Sequence, residues 1–76
     1  MQGESLNEQM KEVAQRIKNM REILGISEES MAKNVEVSVK DYREYESGTR
    51  DFSFTFIYKC ARFFKVDPTD LLQGSS

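Results

Sequence analysis

The stretch from Ile26 to Gly48 most constrains what this chain can become. Ser27 stands directly before Glu28-Glu29-Ser30-Met31-Ala32, and Ser38 directly before Val39-Lys40-Asp41-Tyr42. A serine in that place accepts a hydrogen bond from the backbone N–H groups that the first turn of a helix leaves unpaired. Glu28, Glu29 and Asp41 fall in those first turns, where the helix dipole favours negative charge. Gly48 supplies the residue that closes a helix in the left-handed conformation. Two short helices are therefore predicted, over about 28–34 and 39–47, with only a few residues between them. Met31, Ala32 and Val35 supply the inner face of the first of the two. Tyr42 and Tyr45 turn inward from the second, and Val39, Lys40, Arg43 and Glu44 make its outer face.

Helical patterns flank this pair on both sides. Ser5-Leu6-Asn7-Glu8 fits a capping box. Leu6, Met10, Val13, Ile17, Met20 and Leu24 follow at alternating spacings of four and three, which predicts a helix over 7–24 ending at Gly25. Phe52-Ser53-Phe54-Thr55-Phe56 alternates as a strand does. A lone strand here has no partner, whereas Phe54, Ile57, Tyr58, Ala61 and Phe64 have helical spacing. The chain thus predicts a fourth helix over 54–64 with that set turned inward. Asp67-Pro68 opens a short fifth helix fastened by Leu71 and Leu72. The expected fold class is all-α, five helices in one domain spanning 6–72. Residues 1–5 read as a flexible N-terminus and 73–76 as a flexible tail or the start of a linker.

Composition removes several functions. With 76 residues there is room for one domain. There is no His, which takes away the usual general base and the commonest metal ligand. The four glycines build no phosphate loop. No enzyme, cofactor or metal site is expected. Cys60, the single cysteine, sits in an apolar run and reads as a packing residue of a reduced, cytoplasmic protein. No apolar run is long enough to span a membrane. Net charge is −2, unusual for a chain that grips phosphates. Between residues 27 and 47 six acids (Glu28, Glu29, Glu36, Asp41, Glu44, Glu46) face three bases (Lys33, Lys40, Arg43).

Two capped helices joined by a short turn form a helix-turn-helix, a DNA-binding motif. Residues 13 to 72 resemble the lambda-repressor-like, Cro-type (XRE) helix-turn-helix family. The likeness is carried by Val13, Arg16-Ile17, Met20-Arg21, Gly25-Ile26-Ser27, Glu29, Met31-Ala32, Val37-Ser38, Tyr42, Tyr45-Glu46, Gly48, Arg50, Ile57, Ala61, Val66 and Leu71-Leu72. The resemblance implies a five-helix domain that binds double-stranded DNA as a homodimer, its third helix in the major groove. Carried over, it places Ser38, Val39, Lys40, Arg43 and Glu44 at base edges or nearby phosphates. Ser27 and Glu28 would face the backbone, and Thr49 and Arg50, after Gly48, would grip phosphates. It also pairs Arg21 with Glu46, and allows a C-terminal sensor domain beyond this chain. Two positions depart from the family: Glu28 stands where Gln is common, and Glu36 where the turn commonly has Gly.

Alternatives remain at several positions. Glu44 accepts from a cytosine amino group or pairs with Lys40 one turn earlier, and the pairing is favoured. Val39 meets a thymine methyl or has no role. Phe52, Phe56 and Phe63 form a second stripe, either covered by the first helix or exposed to a partner, with Phe56 expected as the most exposed ring. The function expected is a sequence-specific transcriptional regulator. Its rival is a protein-interaction module of the same fold, antitoxin-like or regulator-docking, with weak DNA affinity.

Overall fold

The computed structural model describes residues 6–73, with side chains from Glu8 onward. Five helices follow one another: α1 Leu6–Ile23, α2 Glu28–Asn34, α3 Val39–Ser47, α4 Phe54–Phe64 and α5 Pro68–Gln73. There is no strand among the described residues. The predicted capping serine Ser5, the Leu6 side chain and residues 74–76 lie outside the described part. No described helix is long and apolar enough to cross a membrane.

Local chemistry sets the helix starts. The hydroxyl oxygens of Ser27, Ser38 and Ser53 accept from the N–H groups of Ser30, Asp41 and Phe56. Ser53 resolves the alternating aromatic stretch: capping starts a helix at Phe54, and no strand forms.

The ends share one device. After α1, α2, α3 and α4 a residue with positive φ turns the chain, and two backbone bonds close the last turn. Gly25 and Gly48 fill that place at φ 71° and 80°, and Glu36 and Lys65 at 65° and 64°. Only glycine enters this region without steric cost, so the two side-chain-bearing positions are strained. Gly48 has a further reason: a Cβ there would lie 2.9 Å from Cγ of Lys11.

The core collects Val13, Ala14 and Ile17 of α1, Met31 and Ala32 of α2, Tyr42 of α3 and Leu71 of α5 around α4. The α1 stripe stops a turn early: Leu24 is exposed, because Gly25 swings the chain off the helix beyond Met20.

The aromatic residues correct the expected facing of α4. Phe56 is 5 % exposed and Phe52 is buried, whereas Phe54 is 57 % and Tyr58 55 % exposed. The buried set Phe56, Ile57, Cys60, Ala61 and Phe64 defines one helical face, and Phe54 and Tyr58 fall on the other. Phe52 lies before the helix, so it shares no helical stripe with Phe56. It folds back edge-on to Tyr45 at 5.9 Å between ring centroids and lies 5.1 Å from Phe56. Phe63 is half-buried beside Phe64. Phe52, Phe56 and Phe63 are therefore not an exposed partner patch. Phe54 and Tyr58, in contact at 5.3 Å, are the exposed rings.

Candidate nucleic-acid interface

α2 and α3 pack on each other, and α1 packs against α3. One guanidinium fixes this corner. Arg21 Nε donates to Glu46 Oε2 at 2.7 Å and Nη2 to Oε1 at 3.1 Å, while Nη1 donates to the Ile26 carbonyl at 2.9 Å. The Tyr42 hydroxyl donates to the same Glu46 Oε2 at 2.6 Å. The bond to Glu46 raises the Arg21 pKa against the lowering by burial, so its charge is secure. Burial, with the Glu46 carboxylate adding to it, pushes the Tyr42 phenol far above its usual range. A carboxylate that receives three donors is compensated although it is buried.

The positions expected to meet DNA come together on the surface of α3 and its flanks. Lys40 and Arg43 are exposed there, and Lys40 has no ion-pair or hydrogen-bond partner among the described residues. Ser27 and Ser38 use their hydroxyl oxygens as helix caps and retain O–H groups to donate. Val39 is half-buried and packs against the core, which leaves little of it for a thymine methyl.

Four carboxylates surround the two arginines of this face. Arg43 Nε donates to Glu28 Oε1 at 2.9 Å, and its Nη2 lies 3.6 Å from Glu29 Oε2. Arg50 Nη1 donates to Asp41 Oδ1 at 2.6 Å and to Glu44 Oε1 at 3.2 Å, with its guanidinium 5.0 Å from the Tyr45 ring centroid. Those hydrogen bonds raise the Arg50 pKa. Glu44 thus turns to Arg50 and not to Lys40, because the loop after Gly48 brings Arg50 back along α3. Thr49 Oγ1 donates to the Glu44 carbonyl at 3.3 Å and contacts Ser47 Oγ at 2.9 Å, so the loop is tied to the helix end.

Two further side chains position the motif. Lys59 of α4 donates to Glu36 at 2.7 Å, holding the turn between α2 and α3 and lowering the Glu36 pKa. Arg16 Nη1 donates to the carbonyls of Leu71 and Leu72 at 3.0 and 2.9 Å, joining α1 to the end of α5. Charge patterns do not reveal Arg16 in this role, because its acceptors are backbone atoms remote in sequence.

Comparison with known proteins agrees with this geometry. A family model described as a helix-turn-helix domain matches residues 14–76. No curated protein matches the chain. The matched region holds α2 to α5 and most of α1, and the five-helix all-α fold is that of the lambda-repressor-like type. The chain belongs to the helix-turn-helix domain family, of the XRE, lambda-repressor-like kind.

Proposed function

We propose that the chain is a sequence-specific DNA-binding regulator of transcription that acts as a dimer in the cytoplasm. One observation carries this reading: α3 presents Lys40 and Arg43 outward, with the cap hydroxyl of Ser38 at its start, on a motif braced by the Arg21–Glu46 pair. In this motif the N-terminal part of the second helix meets base edges, and the loop after it meets phosphates. Lys40 and Arg43 supply the base-edge contacts, with Ser38 and Glu44 beside them. Ser27, Thr49 and Arg50 lie toward the backbone. Val39 has a minor part at most.

The dimer contact is assigned to the outer face of α4. Phe54, Thr55, Tyr58, Lys59 and Arg62 line a shallow groove of ≈ 260 Å³ there. Two exposed rings in contact make an apolar patch that suits a two-fold contact, in which each copy offers the same surface.

The test is selection of duplexes from a random pool, followed by titration at two salt concentrations. The reading expects one enriched sequence, bound with affinity that falls steeply with salt. Lys40→Ala and Arg43→Ala should each weaken binding to it. Unchanged affinity in both variants removes α3 from the interface.

A second reading has its own support. Glu28, Glu29, Asp41 and Glu44 occupy the face that would meet phosphates. A protein-interaction module of the same fold would carry such a face, and it would enrich no duplex from the pool.

A further inference from the structure

Arg43 is an outward base on α3, yet its guanidinium is already engaged. Its partners, Glu28 at 2.9 Å and Glu29 at 3.6 Å, both come from α2, so the bridge crosses from one helix of the motif to the other. Lys40, three residues earlier on the same helix, has no such partner among the described residues. The Arg50 bridges differ, since Asp41 and Glu44 belong to α3, the helix that leads into the Arg50 loop.

Resting on the DNA-binding reading above, we infer that Glu28 and Glu29 are specificity-determining residues: they occupy the Nε–Nη2 edge of Arg43, where a phosphate would sit, so a duplex takes that edge only by displacing them. Carboxylate and phosphate compete for the arginine fork because both present two oxygens in its plane. A duplex with no guanine opposite Arg43 offers its fork phosphates alone. Counterion release favours that contact, but two carboxylates are left unpaired beside the backbone, and the exchange gains little. A guanine opposite Arg43 adds two directed hydrogen bonds. The clamp therefore suppresses non-specific binding more than specific binding, and raises the ratio between them. Its strength suits that role. The Arg43 side chain is 56 % exposed and that of Glu28 32 %. Such a pair is loose enough for a cognate site to open, and its loss should change affinity by no more than about fivefold.

The experiment uses a fluorescent random-sequence duplex, titrated over a series of salt concentrations. Four proteins are compared: wild type, Arg43→Ala, the double variant Glu28→Gln with Glu29→Gln, and the triple variant that adds Arg43→Ala. In the wild type, removal of Arg43 should leave the slope of log affinity against log salt unchanged. The double variant should bind more tightly at low salt and steepen the slope by about 0.9, one phosphate contact. Adding Arg43→Ala to it should abolish that gain. A slope that falls by about one when Arg43 is removed from the wild type overturns the clamp and leaves the DNA reading standing. So does a double variant whose slope matches the wild type. Failure of all four proteins to bind any duplex overturns the DNA reading and this inference with it. The Arg43 Nε–H resonance of the free wild-type protein gives a check without DNA. It should move on Glu28→Gln, and an unmoved resonance overturns the clamp.

Discussion

Glu46 receives two prongs of the Arg21 guanidinium across the α1–α3 contact, at 2.7 and 3.1 Å, with only 11 % of the Arg21 side chain and 5 % of the Glu46 side chain exposed. Removing either partner leaves a buried charge uncompensated, at a cost of about 3 kcal/mol. Arg21→Ala and Glu46→Ala should each lower the melting temperature by more than about 10 °C in a domain this small. The double variant should lose less than the sum of the two. Thermal unfolding of the four proteins measures the coupling, and strict additivity contradicts the pair.

Alkaline pH should act through the interior. Burial pushes the Cys60 thiol up to about 12 and the Tyr42 phenol further still. Both groups are neutral when protonated and hold their protons more tightly folded than unfolded. Their contribution is complete below the unfolded values, about 8.5 for Cys and 10 for Tyr, and is lost as pH rises toward the folded values. Stability to urea should therefore decline from about pH 9 upward, and Cys60→Ala should flatten the first part of that decline. Iodoacetamide at pH 8 should label Cys60 slowly in the native protein and fully in denaturant. Rapid native labelling contradicts the burial.

The strained helix closure at Lys65 offers a gain. Lys65→Gly removes a left-handed side-chain residue and should stabilise by about 1 kcal/mol, seen as a melting temperature raised by several degrees. Glu36→Gly relieves the same strain but gives up the Lys59 contact, so its gain should be smaller. A loss at Lys65 contradicts the strain.

Phe56 and the Phe54–Tyr58 pair should behave oppositely. Phe56→Ser deletes a core ring and should cost about 3–5 kcal/mol, close to the stability of so small a domain. Phe54→Ser and Tyr58→Ser should leave the fold intact and weaken self-association. Sedimentation of wild type and variants over a concentration series reads both effects. A wild type that stays monomeric, free and on DNA, contradicts the dimer assigned to the α4 face.

Caps and breakers made most of the architecture legible. Ser27, Ser38, Gly25, Gly48 and Pro68 act within a few residues of themselves, so their effects are written locally, and all five helices start within a residue of where the caps and spacing put them; the cap at Ser53 was hidden by the alternation around it. The facing of α4 was not legible. Five phenylalanines and three tyrosines crowd the chain, and apolar spacing alone does not say which rings find room once Tyr45 and Phe52 have closed over Phe56. Arg43 and Arg50 could be placed on the outer face from the α3 pattern and the loop after Gly48. Their carboxylate partners could not: those of Arg43 depend on the angle at which α2 meets α3, set by the packed turn at Glu36, and those of Arg50 on how the loop after Gly48 folds back along α3. The expected Lys40–Glu44 pairing failed for the same kind of reason: a nearer helical neighbour lost to a loop arginine.

The Tyr42 hydroxyl bond to Glu46 also makes the molecule its own optical probe. The chain has no Trp and three tyrosines, and these sit in three settings: Tyr42 buried, Tyr45 half-buried among rings, Tyr58 open to solvent. Near-ultraviolet circular dichroism arises from rings held in a fixed asymmetric environment and vanishes when packing loosens. Its strongest tyrosine component should therefore come from Tyr42, one turn before Glu46 on α3. The spectrum then follows the alignment of that helix with no label attached, and loosening at this corner becomes visible before any backbone hydrogen bond is lost.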